Sequence, residues 1–172
     1  LKFVIVKTRL SVNVNKIATL RNSRGQNEPN LLKVVQDIEG YGSDGITIHP
    51  RPDQRHIKYK DAIDLSKIVK SELNIEGNPI NKFMNLVLKI NPTQVTLVPD
   101  GINNITSNSG WDTVKYSDFL GKKIEKLKSC GIRTSIFVNP DPKMIRGAYE
   151  IGADRIELYT YQYAHQFKRD KE

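Results

Sequence analysis

With 172 residues and 38% hydrophobic content, the chain has the material for one globular domain with a substantial core, and it is too apolar for a disordered segment. A formal charge of +8 suits an anionic partner, either nucleic acid, a membrane surface or a small phosphorylated molecule, and composition does not choose among them. The single Cys130 excludes an internal disulfide, and no run of about 20 apolar residues is present to span a bilayer, so a cytoplasmic protein with no membrane partner is expected.

Residues 1–9 open with a short, mostly apolar stretch that lacks a small-residue cleavage site, so they fail as a secretory signal. They read either as an extension foreign to the domain or as the run-in to a first strand, predicted over 10–15. A donor-rich loop, 17–25, is expected next, with Arg21 and Arg24 offering guanidinium groups to a phosphate or to solvent. Leu31, Leu32, Val34, Val35 and Ile38 recur at helical spacing, and Gly42 stands where such a helix would stop. Strands follow over 45–49 and 73–76, then a helix through Phe83, Leu86, Val87 and Ile90, then a strand over 94–99. A hydroxyl-rich stretch, 105–112, is long enough for a flap over a ligand, or for a plain cluster of Asx and Ser turns. Cys130 ends the next helix with no histidine to activate it. A strand over 133–139 leads to Asp141-Pro142, an N-cap with proline in the first helical position, and Gly152 marks that helix's end. The sixth strand is predicted over 155–160, and His165 beyond it is expected to be exposed and without a role.

Strand and helix thus alternate six times, the order of repeated βα units in a parallel sheet. Alternation along the strands separates two faces. Leu10, Val12, Val14, Ile46, Ile48, Leu73, Ile75, Ile156 and Leu158 form an aliphatic face, expected to pack on helices. Asn13, Asn15, Thr47, His49, Asn74, Glu76, Ser135, Asn139 and Glu157 share the other. Polar groups buried without partners cost several kcal/mol each, so a face that turns polar at the C-terminal strand ends fits the mouth of an α/β (β/α)₈ TIM barrel, whose active sites lie there. An open doubly wound sheet is the rival architecture, and no G-x-G-x-x-G follows the first strand to support it. Closure takes eight units and about 250 residues, so residues 1–172 read as a single barrel domain truncated before strands seven and eight.

The densest chemistry is His49-Pro50-Arg51-Pro52-Asp53-Gln54-Arg55-His56, with two histidines suited to proton transfer near neutrality and two arginines whose planar forks match phosphate oxygens. A solvated basic loop is the plain alternative, and His49's place at a strand end on the polar face argues against it. Glu76 ends the next strand on the same face, so a carboxylate and an imidazole would approach each other, as an acid–base pair or as a static ion pair. Glu157 repeats the placement on strand six, where pairing with Arg133 or Arg155 is the bland reading. No Cys/His spacing suits zinc, and no Walker-type loop is present.

Asn13-Val14-Asn15-Lys16-Ile17-Ala18-Thr19-Leu20-Arg21-Asn22-Ser23-Arg24-Gly25, then Asp44-Gly45-Ile46-Thr47-Ile48-His49 with Arg51 and Arg55-His56, Val98-Pro99 with Thr106, and Arg155-Ile156-Glu157-Leu158-Tyr159-Thr160 with Tyr163-Ala164 together resemble the pyridoxine 5′-phosphate synthase family. The resemblance implies condensation of 1-deoxy-D-xylulose 5-phosphate with 3-amino-2-oxopropyl phosphate to give pyridoxine 5′-phosphate, with no metal or organic cofactor and with homo-octamers in the full-length family. By position it implies that His49 and Glu76 accept protons and that Glu157 stabilises the transition state. Arg51, His56 and Thr106 then hold the pentulose phosphate, and Asn13 and Arg24 hold the amino-ketone phosphate. Where many members carry Asp-His, this chain has Asn15-Lys16, so the pentulose contact there changes sign. The family's proton-donating histidine and its last glycine-rich phosphate site fall after strand six.

Two other readings remain. Another phosphosugar barrel, a lyase or isomerase, would need a Schiff-base lysine or metal ligands at the strand ends, and Lys16 is the one lysine so placed. A nucleic-acid module would interleave aromatics with a basic patch, whereas here the basic residues are scattered, so no nucleic-acid partner is expected.

Overall fold

The computed structural model describes residues 7–100 and 109–169. Six parallel strands run in the order β1 (Ser11–Asn13), β2 (Gly45–Ile48), β3 (Glu72–Gly77), β4 (Gln94–Leu97), β5 (Arg133–Val138) and β6 (Arg155–Leu158), each bonded to the next in sequence. Between and after them lie α1 (Asn15–Arg24), α2 (Leu31–Gly40), α3 (Tyr59–Ser66), α4 (Asn81–Ile90), α5 (Ser117–Lys128), α6 (Pro142–Glu150) and α7 (Tyr161–Arg169). The sheet curls into a partial cylinder, an incomplete TIM-like barrel, with the helices outside it. All six predicted strands form.

The helices start and stop for local reasons. The Asn30 side chain accepts the backbone N–H groups of Leu32 and Lys33 to cap α2, and Asp141 accepts Lys143 N–H to cap α6 with Pro142 in its first turn. Gly152, at φ +83°, ends the run as its position suggested. The aliphatic strand face packs outward: Ile46, Ile48, Ile75, Val95, Leu97, Ile136 and Val138 are wholly buried against Leu31, Val35, Leu65, Phe83, Val87, Leu120 and Leu127 of the helices. At about 1.5–3 kcal/mol for each such side chain, this layer supplies much of the drive to fold.

Three expectations are corrected. The 17–25 segment is not a loop but most of α1: Ala18 N–H donates to Val14 O, and Gly25 N–H closes the last turn on Arg21 O. Asn15 accordingly opens a helix rather than ending a strand. On the flanks, Leu10, Ile156 and Leu158 are 61%, 37% and 44% exposed, because among the described residues no helix covers the outer face of either edge strand there.

The inner face is a relay of polar side chains, each satisfied by the next strand. Near its middle, Ser11 and Thr47 share a hydroxyl contact of 2.8 Å, Asn74 Nδ2 donates to Thr47 Oγ1, and Thr96 Oγ1 donates to Asn74 Oδ1 at 3.0 Å. At the N-terminal end Glu72 accepts from Arg133 at 2.6 Å and from Arg9 at 2.9 Å, while Gln94 Oε1 accepts from Arg133 and Arg155. This answers the cost of burying polar groups in the barrel's lower part. The C-terminal end is different.

Candidate active site

Register brings the C-terminal ends together. Ile48 pairs with Ile75, so the next residues, His49 and Glu76, fall side by side on the inner face. His49 Nδ1 stands 3.7 Å from Glu76 Oε2, and His49 Nε2 stands 3.8 Å from Asp100 Oδ2, with His49 and Asp100 buried and Glu76 largely so. These separations exceed a hydrogen bond, and His49 Nε2 and Asp100 Oδ1 have no partner among the described residues. Such gaps close when a ligand arrives. Arg51 is 4% exposed and donates from Nη1 to Asp100 Oδ2 at 2.6 Å. Sequence reasoning left Asp100 in a loop and assigned it nothing; its one signal was an acidic residue three positions past a buried strand.

Electrostatics set the protons. Burial, with the positive neighbours His56 and Arg51, pushes the His49 imidazole down to about 3. Burial, with the negative charges of Glu157 and Asp100, holds Glu76 well above the usual carboxylate range, and burial also raises Glu157. Both shifts favour the uncharged forms: near neutrality His49 is a neutral imidazole, and Glu76 keeps its proton to higher pH than an ordinary carboxyl does. One group can take a proton while its neighbour gives one.

The other predicted residues are distributed unevenly about this pair. Asn15 Oδ1 accepts the His49 backbone N–H at 2.8 Å, and Asn13 Oδ1 accepts Asn15 N–H at 2.9 Å, so the turn from β1 to α1 fixes the histidine's backbone. The half-buried His56 ring lies 5.9 Å from that of His49, and its Nδ1 accepts Ile57 N–H. Glu157 is half-buried on β6, opposite Phe137. Lys16 and Arg24 are exposed on α1, and nine residues separate Arg24 from Asn15, about 13 Å of helix. Arg21 is not a phosphate donor: buried, it grips Asp61 at 2.8 and 2.7 Å, and with Asn22 it ties α1 to the carbonyls of Arg55 and His56. Thr106, and most of the stretch expected to act as a flap, lie outside the described residues. Where that stretch ends, Gly110 N–H donates to Asn139 Oδ1 and Trp111 Nε1 donates to Leu97 O, so it is stitched across β4 and β5.

Among the described residues, no group of three or more His, Cys, Asp and Glu side chains is arranged to hold a metal ion, and no helix is long and apolar enough to cross a membrane. Cys130 is exposed, as is His165, whose ring lies 4.3 Å from that of Tyr161.

Comparison with known proteins bears on the fold and on the family. Among solved structures, a mandelate oxidase superposes with a TM-score of 0.60 at 10% identity, over 85% of this chain and 53% of that one. A flavocytochrome b2 gives 0.55 at 15% identity, over 87% and 41%. At such identities the likeness is one of fold alone. The pyridoxine 5′-phosphate synthase of Cytophaga hutchinsonii is 60% identical over 165 residues, which span 96% of this chain and 69% of that protein. The one from Flavobacterium johnsoniae is 61% identical over 160 residues, 93% and 68%. The family described as pyridoxal phosphate biosynthesis protein PdxJ matches residues 10–172, and with these relatives it establishes that the chain belongs to that family, enzymes of vitamin B6 synthesis.

Proposed function

We propose that the chain is the larger part of a pyridoxine 5′-phosphate synthase, a transferase that condenses 1-deoxy-D-xylulose 5-phosphate with 3-amino-2-oxopropyl phosphate and releases phosphate and water. The reading is carried by one observation, the neutral His49 imidazole 3.7 Å from a Glu76 carboxyl whose hold on its proton burial strengthens, within a chain about 60% identical to named synthases. Ring closure passes through carbonyl addition, imine formation and dehydration, each needing a proton moved at a defined atom. His49 takes the first proton, because its imidazole is already neutral. Glu76, whose hold on its proton burial strengthens, gives that proton to the hydroxyl that leaves as water when the imine forms, and the resulting carboxylate accepts protons in later steps. Glu157, half-buried, faces the cationic intermediate with a carboxyl that ionises more readily as positive charge develops. Arg51, His56 and Thr106, with Asn15 and Lys16 at the turn after β1, hold the pentulose phosphate. Asn13 and Arg24 hold the amino-ketone phosphate.

No metal or organic cofactor enters this scheme. The domain is completed by two further βα units that carry a proton-donating histidine and a second phosphate site, so residues 1–172 alone bind weakly and do not turn over. The complete protein assembles into a homo-octamer and works in the cytoplasm. Purified full-length protein given both phosphates should yield pyridoxine 5′-phosphate and one inorganic phosphate per turnover, read by chromatography and a phosphate assay. No product from the folded full-length protein, or turnover by the 172-residue chain, would refute the respective claims.

A further inference from the structure

Asp100 has no part in the proton transfers above, yet it is among the most deeply buried charged residues in the mouth, 1% exposed. Its backbone carbonyl accepts from Asn78 Nδ2 at 2.9 Å, which anchors it to the turn after β3. Its Oδ2 is shared between Arg51 Nη1 at 2.6 Å and the more distant His49 Nε2 at 3.8 Å. A guanidinium as deep as that of Arg51 needs a carboxylate beside it, and among the described residues Asp53, partly exposed and 4.0 Å from Arg51 Nε, is a weaker partner than Asp100. A purely structural ion pair would satisfy both carboxylate oxygens. Here Asp100 Oδ1 and its neighbour His49 Nε2 are buried without partners among the described residues, an arrangement kept where a ligand completes the bonding.

We infer that Asp100 is a positioning residue: its carboxylate turns the Arg51 fork into the mouth and holds it at a fixed spacing from the His49–Glu76 pair, so that bound phosphate and the reacting carbons stay in register. This rests on the reading of Arg51 as a phosphate ligand and of His49 and Glu76 as the proton-transfer pair. The groups facing Glu76 are His49, Glu157 and Asp100, with Arg51 and His56 behind them, so removing the Asp100 charge acts on Glu76 directly.

The test is steady-state kinetics on the full-length enzyme. Asp100→Asn should raise KM for the pentulose phosphate at least about tenfold and move the Glu76 limb of the kcat/KM profile to lower pH. Asp100→Glu keeps the charge but lengthens the arm; the limb should stay in place while KM rises about threefold or more. In an Arg51→Ala background, Asp100→Asn should add no further KM defect. An unchanged KM in Asp100→Asn, a uniform rate loss with an unmoved limb, or an equal KM penalty in both backgrounds overturns the inference. If Asp100→Asn does not fold, the Asp100→Glu result decides, and wild-type KM there counts against it. Should the wild-type enzyme form no product, the functional reading falls separately. Calorimetry with inorganic phosphate then decides this one: Kd should weaken at least about tenfold in Asp100→Asn, and unchanged or undetectable wild-type binding overturns it.

Discussion

Replacing His49 by Asn and Glu76 by Gln together removes two titrating groups from the mouth at nearly constant volume. In the unfolded chain these groups take up protons at 6.5 and 4.5, whereas in the folded chain His49 is pushed down to about 3 and Glu76 well above 4.5. From pH 4.5 upward, until His49 of the unfolded chain or Glu76 of the folded chain gives up its proton, both states hold one proton on the pair, on the histidine when unfolded and on the glutamate when folded, so the pair adds no slope to stability. Below 4.5 the unfolded chain holds two and the folded chain one. Stability then falls with acid at about 1.4 kcal/mol per pH unit, a loss of about 2 kcal/mol by the time His49 titrates near 3. Urea midpoints of wild type minus the double variant, at fixed protein concentration, should trace this flat-topped curve. A difference curve that slopes just above 4.5, or does not fall below 4.5, would refute the assignment of a single shared proton. Infrared spectra locate it: a carboxyl C=O band within the flat window, lost in Glu76→Gln, marks a neutral pair rather than imidazolium and carboxylate.

In the full-length protein, His49→Asn and Glu76→Gln singly should each lower kcat by about 100-fold or more with substrate still bound; near-normal turnover in stopped assays removes those roles. Arg21→Ala takes the cation from the largely buried Asp61 and leaves it the Lys58 backbone N–H; it should cost about 2–3 kcal/mol in urea unfolding, and a loss below about 1 kcal/mol would mean the clasp is idle. Gly110→Ala sets a methyl group against the backbone of Val138 and Asn139, which cannot swing aside as a side chain can. About 3 kcal/mol of destabilisation is expected, read as a lowered melting temperature by circular dichroism.

The six strands were legible because their β-branched runs alternate cleanly, and the inner placement of His49 and Glu76 followed from the same period. Residues 17–25 misled because Ile17, Ala18 and Leu20 share no single helical stripe with a polar back. The helix is secured instead by contacts invisible to periodicity, above all the Arg21 grip on Asp61, forty positions away in the chain. Leu10, Ile156 and Leu158 look like core residues by type, but burial depends on a covering neighbour, which a strand's own sequence does not encode. Asp100 escaped notice because it lies beyond its strand, where alternation no longer tells which way a side chain points. Its importance comes from Arg51, which reaches it from another loop.

The amide of Asn15 spends its oxygen on the His49 backbone N–H, and that has an evolutionary reading. An aspartate has the same acceptor at the same reach, so Asp and Asn can interchange at this position without displacing the histidine. What changes is local charge: with Asn15-Lys16 the entrance is more positive by at least one unit than an Asp-His pair would make it, and such an exchange leaves the His49 backbone where it is.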